Sequence, residues 1–184
     1  NTGKSTLFNR ITGTRSAVGN IAGITIEACS APGIISGSEN WEFVDLPGIY
    51  NLHAQTEDGR VTEDALINPG GKWNPNVILL IADKSTLQGQ VFLALQIREL
   101  EIPCILLLNR MNYETVDPQL CGILEKGLGI PVREIQALKD DPADWVNMLS
   151  PLLHQPTVCS ILRKVPESIE ESLKILNAVM PYGT

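Results

Sequence analysis

The chain opens on Asn1-Thr2-Gly3-Lys4-Ser5-Thr6, the closing half of the phosphate loop G-x-x-x-x-G-K-[ST]. Such a loop turns successive backbone N–H groups inward around a polyphosphate, adds a lysine point charge and offers a hydroxyl to Mg²⁺. Gly3 lets the backbone approach, Lys4 is expected at the β and γ phosphates and Ser5 at the metal, with Thr2 and Thr6 in the same turn. A loop of this kind leaves a strand and enters a helix, which commits the chain to an α/β fold. Its first glycine and that first strand would precede residue 1, so the chain reads as a fragment.

With 184 residues, 43% of them apolar, the chain can bury one good core. A net charge of −7 and a pI near 4.8 argue against a nucleic-acid surface or an anionic membrane surface, because both need a basic field. Cys29, Cys104, Cys121 and Cys159 are widely spaced, without a C-x-x-C pair, and read as buried free thiols in a reducing compartment. The longest apolar stretches, 77–82 and 104–108, fall well short of the ~20 residues that span a bilayer.

Those two runs have the uninterrupted apolar character of strands buried on both faces, as in a parallel sheet. Between them Leu87, Val91, Leu95 and Arg98 recur at helical spacing over 86–100, giving a strand, helix, strand unit. Further helices are expected over 5–12, 117–128, 141–153 and 166–180, the last with Pro166 in its first turn. Segments 24–35 and 41–45 flank Ser36-Gly37-Ser38-Glu39-Asn40 and read as a hairpin. The stretch 47–76 reads as a loop with a short helix over 62–67. The expected architecture is a P-loop three-layer sandwich: a mainly parallel sheet with one antiparallel strand, helices on both faces, and the first strand missing from the fragment. A domain over 1–153 is expected to give way to a linker over 154–184 that starts a helical subdomain.

Asp45-Leu46-Pro47-Gly48 follows the β-like run Trp41-Glu42-Phe43-Val44, placing a carboxylate at a strand end with a glycine three residues on. Asp45 can hold Mg²⁺ through water while the Gly48 N–H faces the γ-phosphate. Between the two motifs, the glycine-rich stretch 18–27 carries Thr25, whose hydroxyl suits a switch that joins Mg²⁺ only when the γ-phosphate is present. Farther along, Asn109-Arg110-Met111-Asn112 closes the second buried strand, at the carboxyl edge where open α/β sheets bind ligands. GTPases place N-K-x-D there. Asn109 fits that pattern, Asn112 replaces the carboxylate that reads guanine, and Gln136-Ala137-Leu138-Lys139 matches the weaker S-A-K element whose backbone touches the guanine O6.

On these residues the chain resembles the GTP-binding domain of the ferrous-iron transport protein B (FeoB) family. The phosphate-loop half, the switch segment 18–27, Asp45-Leu46-Pro47-Gly48-Ile49-Tyr50-Asn51-Leu52 and Asp83-x3-Leu87 carry the resemblance, over roughly residues 1 to 140. It implies GTP or GDP with Mg²⁺, and a K⁺ ion held partly by Asn1 in place of an arginine finger. Lys4, Thr25 and Gly48 would act at the γ-phosphate, and Asn109, Asn112 and Ala137 at the base. The resemblance further implies a transmembrane iron-transport domain as partner within the same full-length protein, and a place on the cytoplasmic face of the bacterial inner membrane. Self-association stays open, and no nucleic-acid partner is expected. Ile49 stands where signalling GTPases carry a water-orienting Gln, so hydrolysis is expected to be slow.

Two other readings compete. A degenerate nucleotide-binding module with weakened guanine specificity and little turnover is favoured by Asn112, Ile49 and the shortened loop. A ribosome-assembly GTPase would carry a basic RNA-binding surface, which the acidic composition disfavours. His53, His154 and the acidic cluster from Glu57-Asp58 to Glu63-Asp64 read as ordinary surface, and Trp41, Trp73 and Trp145 as packing residues.

Overall fold

The structure, a computed structural model, describes residues 2–14, 29–36, 39–52, 56–67, 73, 75–110 and 119–154. At its centre β3 (Ile78–Ala82), β4 (Cys104–Asn109) and β5 (Val132–Ile135) form a parallel sheet in that order. Ile78 pairs with Cys104, and Leu106 with Val132. Side chains leave β4 alternately: Cys104, Leu106 and Leu108 enter one core cluster, Ile105 and Leu107 the other. All of β4 is buried, which explains why its sequence is apolar without alternation. Truncating Leu106 or Leu107 to Ala would cost about 2–5 kcal/mol each.

Helices cover both faces. On one side lie α3 (Leu87–Glu99), α4 (Leu120–Leu128) and Leu66 of α2 (Glu57–Ile67), together with Ile49 and Leu52. On the other, Leu7 of α1 (Lys4–Thr12) meets Trp145, Leu149 and Leu153 of α5 (Pro142–His154) over Ile81, Ile105 and Leu107. The antiparallel pair β1 (Cys29–Ser36) and β2 (Glu39–Asp45) packs against α1 and α5, with Trp41 and Phe43 joining that second cluster. Among the described residues it is a separate two-stranded sheet, in which Cys29 pairs with Asp45.

The strand, helix, strand unit and the helices α1, α4 and α5 stand where the sequence puts them. The hairpin is present, but Ser36, Glu39 and Asn40, expected in its connection, belong to the paired strands. A helix boundary is corrected as well. The helix expected over 62–67 begins at Glu57, because Thr56 caps it: the Thr56 hydroxyl accepts from Gly59 N at 3.1 Å and its carbonyl from Arg60 N at 3.0 Å. A further correction concerns the thiols. Cys104 is buried, but Cys121 is half-buried and Cys29 exposed, since the first residue of a hairpin strand need not face the core. Cys159 lies outside the described residues, as do the switch segment 18–27, His53 and the expected linker and helix beyond residue 154.

Candidate functional site

The loop into α1 carries the first group of expected residues. Gly3 has φ +95°, a left-handed conformation that glycine adopts without penalty, and its carbonyl accepts from Leu7 N at 2.9 Å to start the helix. Lys4, Ser5 and Thr6 follow in the first turn, all half-buried. The turn itself holds no acidic residue, and the first N–H groups of the helix have no intrahelical acceptor, an arrangement that favours an anion.

Asp45, the last residue of β2, meets this turn from the side. Its Oδ1 pairs with Lys4 Nζ, and its Oδ2 accepts from Ser5 Oγ at 3.2 Å. The Asp45 side chain is only 12% exposed, against 36% for Lys4, so the lysine is the partner that can swing toward a ligand. A hydroxyl and a carboxylate at this separation form a hard-oxygen pair of the kind Mg²⁺ selects, and Ser5 and Asp45 would hold it. Gly48 is exposed, and a Cβ there would meet nothing within 4 Å. The glycine is therefore not imposed by protein packing.

Asn109, the residue expected at the base, stands at the carboxyl edge of the parallel sheet. It ends β4, is 5% exposed, and uses both ends of its amide: Nδ2 donates to the Thr2 carbonyl at 2.7 Å and Oδ1 accepts from Ala137 N at 2.9 Å. The side chain thus ties the phosphate loop to the loop after β5. Asn1, Thr25 and Asn112 lie outside the described residues, so the structure brings together Thr2, Gly3, Lys4, Ser5, Thr6, Asp45, Asn109 and Ala137.

Sequence reasoning missed a further set of contacts. Arg10 of α1 donates to the Ala137 and Asp140 carbonyls, both at 2.6 Å, and stacks on Trp145 with 4.9 Å from guanidinium carbon to ring centroid. On the opposite side of the sheet, Gln90 Nε2 of α3 donates to the Ile49 carbonyl at 3.2 Å. Gln96 accepts from Leu52 N at 3.1 Å and donates to Asn51 Oδ1 at 3.0 Å. The segment after Asp45 is therefore fastened to α3. Gln90 had left a signal: it sits on the apolar stripe with Leu87, Val91, Ala94 and Ile97, where a polar residue needs a polar task. Arg10 left none, because its partners are 127 and 130 residues away.

A phosphate loop on α1, a carboxylate at the end of the neighbouring strand and an Asn-held loop at the sheet's carboxyl edge define a P-loop nucleotide-binding domain. Comparison with known proteins agrees. The model of the family described as ferrous iron transport protein B matches residues 1–148. The Fe(2+) transporter FeoB of Synechocystis sp. is 38% identical over 139 residues, covering 74% of this chain and 22% of the transporter. That of Escherichia coli (strain K12) is 31% identical over 188 residues, covering 92% and 24%. The cytosolic domain of L. pneumophila FeoB aligns with a TM-score of 0.68 at 26% identity, over 100% of this chain and 80% of that one. A GDP-bound A143S mutant of the S. thermophilus FeoB G-domain gives 0.67 at 25%, over 100% and 69%. The chain belongs to the ferrous iron transport protein B family. It spans less than a quarter of the length of the curated relatives it matches, and among the described residues no helix is long and apolar enough to cross a membrane.

Proposed function

We propose that this chain is the guanine-nucleotide switch of a ferrous-iron transporter, binding GTP with Mg²⁺ and hydrolysing it slowly to set the conformation of a transmembrane domain in the same protein. The observation that carries the reading is the convergence of Lys4, Ser5 and Asp45 at one helix start, with Asn109 linking that start to the base loop. Phosphates would draw Lys4 away from Asp45, releasing the carboxylate toward the metal side. Mg²⁺, when bound, would neutralise charge on the β and γ phosphates. Thr25 and Gly48 are the proposed contacts to the γ-phosphate, and Asn1 the proposed K⁺ ligand. A relative solved with GDP at 25% identity supports a guanine nucleotide.

Slow turnover follows from Ile49. Its side chain is 7% exposed and packed in the core with Leu52 and Val91, so the position that orients water in signalling GTPases presents no polar group to a phosphate. The same residue favours the second reading, a nucleotide-binding module with little turnover. Single-turnover GTP hydrolysis with Mg²⁺, in K⁺ and in Na⁺, separates the two. A rate on the order of 10⁻³ per second or below that rises with K⁺ supports the switch. Tight binding with no hydrolysis supports the module, and no binding of any guanine nucleotide sinks both.

Base choice turns on Asn112. An amide offers one acceptor where a carboxylate offers two, so Asn112→Asp should tighten GTP by about tenfold or more and reduce any relative preference for xanthosine triphosphate. Unchanged GTP affinity in that variant would remove residue 112 from the base site.

A further inference from the structure

The loop after β5 is held from two sides. Asp140 Oδ2 accepts from Gln136 N at 2.5 Å and from Trp145 Nε1 at 3.3 Å, which closes residues 136–140 into a turn anchored on a tryptophan only 2% exposed. From α1, the planar fork of Arg10 spans the two carbonyls of Ala137 and Asp140, with Trp145 beneath it. A fork of fixed geometry sets the separation of those carbonyls in a way a lysine cannot. Arg10 stands two turns along the helix whose first residues are Lys4 and Ser5, so one rigid element carries both the residues proposed at the phosphates and the brace on this loop.

The peptide joining Ala137 to Leu138 is the one that matters. Arg10 takes its carbonyl, and its N–H belongs to Leu138. The neighbouring donors are spent: Ala137 N–H on Asn109 Oδ1 at 2.9 Å, Lys139 N–H on the Gln136 carbonyl at 2.9 Å. Leu138 N–H has no acceptor among the described residues, and Leu138 is 65% exposed. A charged donor on a peptide carbonyl polarises the amide and strengthens its N–H as a donor.

We infer that Arg10 is a specificity-positioning residue, which fixes and polarises the Leu138 N–H so that it donates to the exocyclic carbonyl oxygen of a guanine base. The inference rests on the guanine-nucleotide reading above. Guanine presents an acceptor at O6 where adenine presents an amino donor, so a fixed N–H at that point accepts the first and rejects the second.

The test is equilibrium binding of GTP and of ATP to the full chain, for the wild type, Arg10→Lys and Arg10→Ala, beside thermal unfolding of each. Arg10→Ala should weaken GTP by about tenfold and leave ATP within about twofold, with Arg10→Lys between it and the wild type. If Arg10 only supports packing, melting temperature falls and both nucleotides weaken by one factor. An unchanged GTP to ATP ratio therefore overturns the inference. Should Arg10→Ala fail to fold, Arg10→Lys, which keeps the charge over Trp145, decides by the same ratio. A wild type that binds GTP and ATP equally overturns the role of Arg10 alone, and one that binds neither overturns the nucleotide reading with it.

Discussion

A Cβ added to Gly3 would lie 2.3 Å from Nδ2 of Asn109, so the phosphate loop and the end of β4 touch with no room for a side chain between them. The contact is backbone against a buried amide whose two ends are both engaged, on the Thr2 carbonyl and the Ala137 N–H. This one side chain joins the loop before α1 to the loop after β5.

Gly3→Ala should destabilise the fold by about 1–3 kcal/mol, since the substitution is strained at φ +95° and also forces Asn109 to move. Asn109→Ala should cost a similar amount by leaving the Ala137 N–H and the Thr2 carbonyl without their partner. Combining them should cost less than the sum, because the second change removes the atom the first collides with. Denaturant unfolding of the four proteins measures the cycle, and strict additivity would show that the two sites do not meet.

Lys4→Ala should abolish triphosphate binding and leave stability within about 1 kcal/mol, because an ion pair with one partner well exposed contributes little to folding. Asp45→Asn should spare most nucleotide affinity in the absence of Mg²⁺ and remove the gain that Mg²⁺ brings. Titration of a fluorescent GTP analogue with and without Mg²⁺ checks both. An Asp45→Asn protein that keeps its full Mg²⁺ dependence would place the metal elsewhere.

The two apolar runs were legible as strands because both faces of β3 and β4 are covered, and burial on both sides leaves no alternation to obscure the pattern. Gly3, Lys4 and Ser5 could be singled out because a phosphate loop prescribes residue types at fixed spacing, and the structure sets Lys4 and Ser5 against the expected Asp45. What the sequence hid was relation at long range. Arg10 is an unremarkable cation in the last turn of a helix until Ala137 and Asp140 are brought beside it. The start of α2 was hidden differently: Thr56 caps it followed by Glu57 and Asp58, a start signal masked by the glycine at 59 in the first turn.

Two groups give opposite pH signatures. Burial pushes the Cys104 thiol up from 9.0 to about 12. The folded state therefore holds that proton more tightly than the unfolded chain, so its contribution is complete below pH 9 and is lost as pH rises from 9 toward 12. Cys104→Val should flatten this alkaline limb. Asp83 moves the other way: burial alone would raise it, but bonds from the side chains and N–H groups of Ser85 and Thr86 together hold it below 3.8. Its contribution is present above pH 3.8 and is lost as pH falls through the folded value, and Asp83→Asn should reduce the acid slope. Urea unfolding from pH 3 to 11 reads both, and a Cys104→Val protein with the wild-type slope above pH 9 would exclude the thiol as the cause.

Tyr50 and α3 offer the sharpest separation of stability from switching. A Cβ on Gly89 would meet Tyr50 Cδ1 at 2.7 Å, yet Tyr50 is 54% exposed and its ring can turn toward solvent. Replacing a helical glycine by alanine stabilises by up to about 1 kcal/mol when the neighbour yields, so Gly89→Ala should leave stability unchanged or slightly raised while displacing Tyr50. Gln90→Leu acts from the other side. It leaves the Ile49 carbonyl without its donor in a buried site, at a cost of about 1–3 kcal/mol. If the segment after Asp45 follows the γ-phosphate, both variants should change the ratio of GTP to GDP affinity, one without loss of stability and one with it. Measured together, the two ratios decide: a shift in both ties α3 to the nucleotide state, and a loss of stability in Gln90→Leu with both ratios unmoved would make the α3 contacts purely structural.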